Sequence, residues 1–333
     1  MITLIVVGLA TYAFLYSGNK VQKQSEIKSV STTSVKTAPL KKTPSLAHQK
    51  TSFRYGATGN CRAVPKFISS LKMKSPAMDS RQADGNMGLQ IRDYSQKDKT
   101  WQHPSWEASG YIGAFDRDNK GNLYVSPLPY VSLQKNPPEK QNQVYQIDTK
   151  TAEMSLFMTL PSSNKADSKN PFGVMGLYFD CDTQSLYVSS VAGSTPMQEK
   201  GVIFQIDLET KKIVSTFENI DVVGLGVFNT PKGKRLYFGS ARDSSLYSVG
   251  LDQQGHFLED KRYELSLSQL EGGDTTVIKK LKFKKRKNDF LMILQDMEFG
   301  FRLMAENRAF QKNYNFEFNK DENKWSFKGV SRY

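Results

Sequence analysis

The chain has 333 residues and a formal net charge of +13, with only three histidines and two cysteines. So few histidines argue against a paired-histidine base, a histidine-ligated zinc site and a Ser-His-Asp triad. No C-x-x-C pair occurs, which argues against zinc-ribbon and thioredoxin-like chemistry.

Residues 1–18 read as a membrane anchor or signal segment. Positions 2–16 (ITLIVVGLATYAFLY) carry no charge and are mostly apolar, and their flanks bring the run near the lower limit for a spanning helix. The h-region of a cleaved signal peptide is the alternative. The lack of a positive n-region and of a small-residue cleavage pattern favours an uncleaved helix. Lys20, Lys23 and Lys28 follow the run, and the positive-inside rule alone would keep the rest cytoplasmic. A single amino-terminal apolar segment leading through a polar spacer to a β-rich domain is nonetheless commonly an export device. The folded domain is therefore expected on the extracytoplasmic side.

Residues 19–50 are rich in Ser, Thr and Lys without apolar periodicity, and are expected to form a disordered tether. Between 19 and 54 eight basic residues face Glu26 alone, a net +7 that leaves only +6 for the remainder. Such a segment is either a self-repelling solvated linker or a contact for anionic headgroups and cell-wall polyanions. Cys61 and Cys181 could pair in an oxidising compartment or stand as two separate thiols.

From residue 51 to 333 the chain repeats one pattern, a strand, a polar turn and an aromatic-rich strand. GLQIRDYSQKDKTWQHP (88–104) reads as the outer strands of an early unit. Complete pairs follow at 113–126, 176–190, 226–240 and 280–294. Third strands are expected at VYQID (144–148), VIFQID (202–207), LYSVGLD (246–252) and FRLMAEN (301–307). Asn119-Lys120-Gly121-Asn122 and Thr230-Pro231-Lys232-Gly233 supply the turn residues tight hairpins need. Repetition at this spacing predicts an all-β fold, a β-propeller. At roughly 45–50 residues per blade, the 283 residues of 51–333 predict six blades. The sixth would be closed by 313–333 together with a strand from the first ordered segment.

FDRDNKGNLYVS (115–126) resembles the NHL-type blade, in which a D-x-x-GN-x-YV run joins the first two strands. The chain as a whole is similar to the six-bladed group that includes gluconolactonase-like and strictosidine-synthase-like proteins. That resemblance covers four blades and implies the fold. The full set of metal ligands of those enzymes is not found here, so their catalytic residues are not carried over.

In a propeller, the segments leading into the innermost strands and the loops between second and third strands share one face. Asp221, Asp243, Asp274, Asp296 and Glu298 belong to such segments. A ring of these oxygens would suit Ca²⁺ or another divalent cation, which could polarise a lactone or ester carbonyl. The alternative is solvated or ion-paired loop carboxylates. The 126–143 loop is long and proline-rich, as binding loops often are. Its Tyr130, together with Arg242 and Trp106, are candidate ligand contacts; Trp106 and Trp101 flank His103 and would otherwise pack between blades. The segment 116–122 resembles a calcium loop but has Pro127 where a bidentate Glu is needed, so it reads as a hairpin turn. In 279–287 (KKLKFKKRK), Leu281 and Phe283 suit a strand and the last four residues a turn; a phosphate-rich partner could use it, but no nucleic-acid motif accompanies it.

These readings point to a membrane-tethered binding or scaffold module that takes a protein or small-molecule ligand on the loop-decorated face. A divalent-metal lactonase or arylesterase is the alternative.

Overall fold

The computed structural model describes residues 53–332 apart from 81–86, 97–98, 129–132, 165–166, 168, 288 and 303–310. The expected anchor and tether lie outside the described residues. Among the described residues no helix is long and apolar enough to cross a membrane.

The fold is an all-β propeller of five blades, not six. After a short strand β1 (Gly56–Ala57), blade one comprises β2 (Pro76–Asp79), β3 (Gln90–Asp93) and β4 (Thr100–Trp101). Blade two comprises β5 (Ile112–Arg117), β6 (Leu123–Pro127), β7 (Gln143–Ile147) and β8 (Met154–Thr159). Blade three comprises β9 (Val174–Asp180), β10 (Ser185–Ser190), β11 (Val202–Asp207) and β12 (Lys212–Glu218). Blade four comprises β13 (Val222–Thr230), β14 (Gly233–Ser240), β15 (Ser245–Leu251) and β16 (Arg262–Ser266). Blade five comprises β17 (Val277–Arg286), β18 (Asp289–Met297), β19 (Lys312–Asn319) and β20 (Lys324–Arg332).

Two expectations fail together, for one reason. The third strand of blade five is β19, not 301–307, so 312–332 complete that blade instead of closing a sixth. Nor does the first ordered strand join the last sheet. β1 pairs with β13 through Gly56–Asn229 and Ala57–Phe228. The basic run is also more regular than expected, since β17 continues to Arg286 in register with Asp289.

Four seams between blades are apolar. Blades one and two share Ile91, Trp106, Leu123 and Ile147; blades two and three share Tyr124, Val144, Phe179 and Phe204. Blades three and four share Tyr187, Ile203, Leu236 and Phe238; blades four and five share Phe228, Met292, Leu294 and Phe316. Around the channel the innermost strands approach closely, which explains the glycines in β9 and β13. A Cβ at Gly176 would lie 2.3 Å from the Val223 carbonyl oxygen, and one at Gly224 would lie 2.8 Å from that of Lys279.

The seam between blades five and one is different. β17 alternates Lys280, Lys282, Lys284 and Arg286, all exposed, with Leu281 and Phe283, which pack toward blade four. The same parity continues across the sheet. Phe290, Met292 and Leu294, then Tyr314, Phe316 and Phe318, are buried on one face; Asn313, Asn315 and Glu317 stand on the other. Alternation of this kind marks a sheet with one face on the core and one toward water.

One mouth of the channel is crossed by residues 53–67. Tyr55 packs on Phe228, Phe290 and Phe318. The Thr58 carbonyl accepts from the Cys181 N–H at 2.9 Å. Cys61 and Cys181 form a disulfide with a Cα–Cα distance of 5.8 Å. Arg62 pairs with Asp116, donates to the Phe179 carbonyl at 3.0 Å and lies 4.4 Å from the Tyr178 ring centroid. Ala63 N–H then reaches Asp118 O at 3.0 Å and Phe67 N–H reaches Thr149 O at 2.9 Å. The segment thus touches blades five, four, three and two in turn, and plugs the face that carries the first hairpin turns.

Candidate functional site

The channel holds a cavity of about 650 Å³, lined from Arg62 on the plug to Leu128, Phe172, Phe299 and Arg302 at the opposite, loop-bearing face. Each blade contributes to its wall: Met78 and Asp79, Ile112 to Asp116, Met175 to Tyr178, Val223 to Leu225, and Lys279 to Lys282. At the plug end, burial pushes the Asp116 carboxyl above its ordinary value while the Arg62 guanidinium draws it down. At the loop end Phe172, Phe299 and Phe301 form an aromatic group with ring centroids 5.0–5.1 Å apart.

The loop face is assembled by backbone pairing between loops and the segments that lead into the innermost strands. Leu128 N–H donates to Tyr111 O, Val191 N–H to Gly173 O and Ala241 N–H to Asp221 O, at 2.8–2.9 Å. Asn136 clamps the long blade-two loop, accepting from Tyr111 N–H at 2.9 Å and donating to Tyr111 O at 3.0 Å. Tyr130 lies outside the described residues.

The five acidic candidates do not form a ring. Asp221 is fully buried; it pairs with Arg242 and accepts from the Ser194 hydroxyl and, at 3.0 Å, from Gly201 N–H. Burial pushes its carboxyl up, opposed by the Ser194 hydrogen bond and by Arg242. Asp243 caps a turn, accepting from Ser245 N–H at 2.9 Å. Asp296 accepts from Lys312 N–H at 2.7 Å and Thr276 Oγ1 at 3.0 Å, and Asp274 lies 3.4 Å from Lys312 Nζ. Of the five, only Glu298 lines the cavity. Among the described residues no group of three or more His, Cys, Asp or Glu side chains stands where it could hold a metal ion. The physical reason is local: loop carboxylates are used up by nearby backbone N–H groups and by cations on the same blade edge.

Two ligand-contact candidates also have structural positions. Trp106 is fully buried in the seam between blades one and two, where its indole donates to Ala152 O at 2.7 Å. Arg242 donates to the carbonyls of Thr195, Pro196 and Gln198 at 2.7–3.0 Å, so it secures the blade-three loop. Its guanidinium lies 4.5 Å from the Phe301 ring centroid. The hairpin reading of 116–122 holds: Asp118 accepts from Lys120 and Asn122 N–H at 2.8 and 2.9 Å.

Sequence reasoning missed the cations that line the channel, Lys279, Lys280 and Lys282, and with them the buried Gln311. The signal was present. β9 and β13 are apolar on both parities, as strands between two neighbours must be, whereas β17 is apolar on one parity only. A charged parity in an innermost strand marks a blade with a wet neighbour.

No protein-family model and no curated protein sequence matches the chain. Among solved structures it is similar to a Bacteroides ovatus xyloglucan-locus GH43B protein, at 10% identity and TM-score 0.39, over 66% of this chain and 40% of that one. The chain therefore spans less than half the length of that structure. It is similar to a nidogen/laminin complex chain at 7% identity and TM-score 0.38, over 74% and 90%. It is also similar to Kluyveromyces lactis Hsv2 at 12% identity and TM-score 0.36, over 74% and 68%. None of these similarities bears on function, and the fold assignment rests on the five sheets themselves.

Proposed function

We propose that this protein is a non-catalytic binding module that takes its ligand into the channel from the loop face. The observation that carries this reading is the 650 Å³ cavity between the plug and the upper loops, walled by apolar side chains and a group of cations. Binding sites of this kind combine an apolar lining with a few placed polar groups. Four of the five acidic side chains offered for metal chemistry, all but Glu298, are instead spent on loop and blade contacts, which favours binding over hydrolysis. Attachment through residues 1–18 and an extracytoplasmic location belong to the same proposal. The Cys61–Cys181 disulfide supports the location, because such bonds persist in oxidising compartments.

The test is a thermal-shift panel of small anions, sugars, lactones and peptides on the full chain, paired with lactone and aryl-ester turnover assays with and without Ca²⁺. Stabilisation by a panel member without turnover is expected. Calcium-dependent turnover would replace this reading with the lactonase or arylesterase alternative.

A further inference from the structure

Blade one differs from the others in strand direction. β5, β9, β13 and β17 all run from the loop face to the plug face. β2, although nearest the channel, runs the other way. It follows the helix Phe67–Ser70, whose first N–H is bound to Thr149 O at the plug face. It ends at Asp79, paired with Gln90, beside Gly88, whose N–H donates to Gly110 O at the loop face. β2, β3 and β4 therefore occupy the second, third and fourth positions of a blade. Among the described residues no strand holds the innermost position, and β2 presents its channel-side edge to the cavity.

That edge has a definite pattern. Tyr94 N–H donates to Ser75 O at 2.9 Å, so by antiparallel alternation Ala77 and Asp79 direct their backbone groups to β3. Met78 and Ser80 then direct theirs to the channel, and both line the cavity. Facing them on the blade-five side are Lys280 and Lys282, with Lys284 and Arg286 continuing the row toward the plug face. Alternate residues of a strand are spaced about 6.6 Å apart, so the row matches the side-chain repeat of any strand laid beside it. Gln311 is only 6% exposed, lines the same cavity and has an Nε2 without a partner among the described residues. On the blade-two side the wall is Met78, Ile112 and Phe115. The acidic groups lining the cavity are Asp79, which is ion-paired with Arg92 at 3.4 Å, Asp116, which is paired with Arg62 at the plug end, and Glu298.

We infer that this slot is completed by an extended peptide segment of another protein, added as the innermost strand of blade one. The inference rests on the binding-module reading and names its ligand class. An edge strand with unpaired backbone groups accepts a peptide through main-chain hydrogen bonds, and the flanking side chains set the sequence. Here the two walls demand different parities: carboxylates toward the lysine row, and apolar side chains toward Met78 and Ile112. Antiparallel pairing with β2 places the peptide's amino end at the loop face. The protein's own tether is a poor occupant, because its seven basic residues would meet the same lysines.

The experiment uses the full chain and fluorescein-labelled ten-residue peptides read by fluorescence polarisation. A peptide alternating Glu and Val is expected to bind. A peptide of the same composition with Glu and Val in two blocks should bind at least about tenfold more weakly. N-methylation of alternate amides that face β2 should abolish binding with the side chains unchanged. K282E/K284E should weaken the Glu-Val peptide about tenfold or more and admit a Lys-Val peptide in its place. Equal binding of the blocked peptide, or indifference to K282E/K284E, would overturn strand addition. So would binding that appears only after removal of residues 1–50, which would assign the slot to the chain's own segment, or self-association of the protein in the absence of peptide. If no peptide binds while another member of the thermal-shift panel does, the binding-module reading stands and this inference falls; silence across the whole panel sinks both.

Discussion

The seam between blades four and five and the one between blades five and one lie on opposite faces of a single sheet. On one face Phe290, Met292, Leu294, Tyr314, Phe316 and Phe318 are buried against Phe228 and Tyr237. On the other, Lys280, Lys282, Lys284 and Arg286 stand exposed, with Glu317 held by Lys328 at 2.9 Å and Asp289 within 3.9 Å of Lys320. The chain switches between a dry seam and a wet one by changing every second residue. A propeller thus needs apolar contact at most seams to hold its ring, and one seam can be left polar for other use.

The largest effect should come from the dry seam. Phe316→Ala removes a ring that is 1% exposed and should cost about 3–5 kcal/mol, read from urea unfolding. The plug should come next. Cys61→Ser with Cys181→Ser removes a cross-link across 120 residues and should cost about 2–4 kcal/mol. Hydrogen exchange should then rise at Gly56–Ala57 and at Phe228 and Asn229 while β3 stays protected. Equal loosening of blade one would show that the plug, and not the apolar seams, holds the wet seam together.

A smaller effect depends on pH. Asp93, in blade one, accepts from the Ser95 hydroxyl at 2.7 Å and from the N–H groups of Lys74, Ser95 and Ser75 at 2.9–3.0 Å. The Ser95 hydroxyl and these N–H groups hold its carboxyl well below the usual range, against the opposing pull of burial. A lowered native value means the folded state favours the ionised form. Its stabilisation is complete above the ordinary aspartate value, about 3.9, and is lost as pH falls from there toward the depressed native value. Asp93→Asn should therefore melt lower than the parent at pH 6, and the gap should close as the pH is taken below 4. A gap that stays constant with pH would assign the aspartate a neutral packing role. Smallest of all, Lys284→Ala on the wet face should change stability by no more than about 0.5 kcal/mol, in contrast to Phe316→Ala on the dry one.

Much of the fold is legible in local pattern. The strand pairs at 113–126, 176–190, 226–240 and 280–294 all form, because two apolar runs joined by a short polar turn have few other stable arrangements, and three of the four turns also carry Gly, Asn or Pro. The reading of 88–104 as outer strands also holds, in β3 and β4. Blade count was not legible, because dividing length by a blade's length treats loops and the plug as sheet. Residues 53–75 contribute only two residues of strand, and the described residues of the segment 128–142 contribute none. The candidate site was hidden for a related reason. Acidic loop residues such as Asp221 and Asp296 look free in sequence, and only the fold shows Arg242 and Lys312 beside them. The lysine row was visible, but its meaning required knowing that β17 is innermost.

The plug also has a history in time. The Asn229 side chain holds the Arg54 carbonyl across 175 residues of sequence, and Thr58 reaches Val227 across 169. Residues 53–62 leave the ribosome before every blade they will hold. At roughly 5–20 residues per second, their partners in blade four follow about 10–35 s later. Cys181 follows Cys61 by 120 residues, about 6–24 s at the same rate, and in that time a redox enzyme or a stray thiol can reach Cys61 before its native partner does. The first part of the domain to be synthesised thus waits for partners in blades two to five.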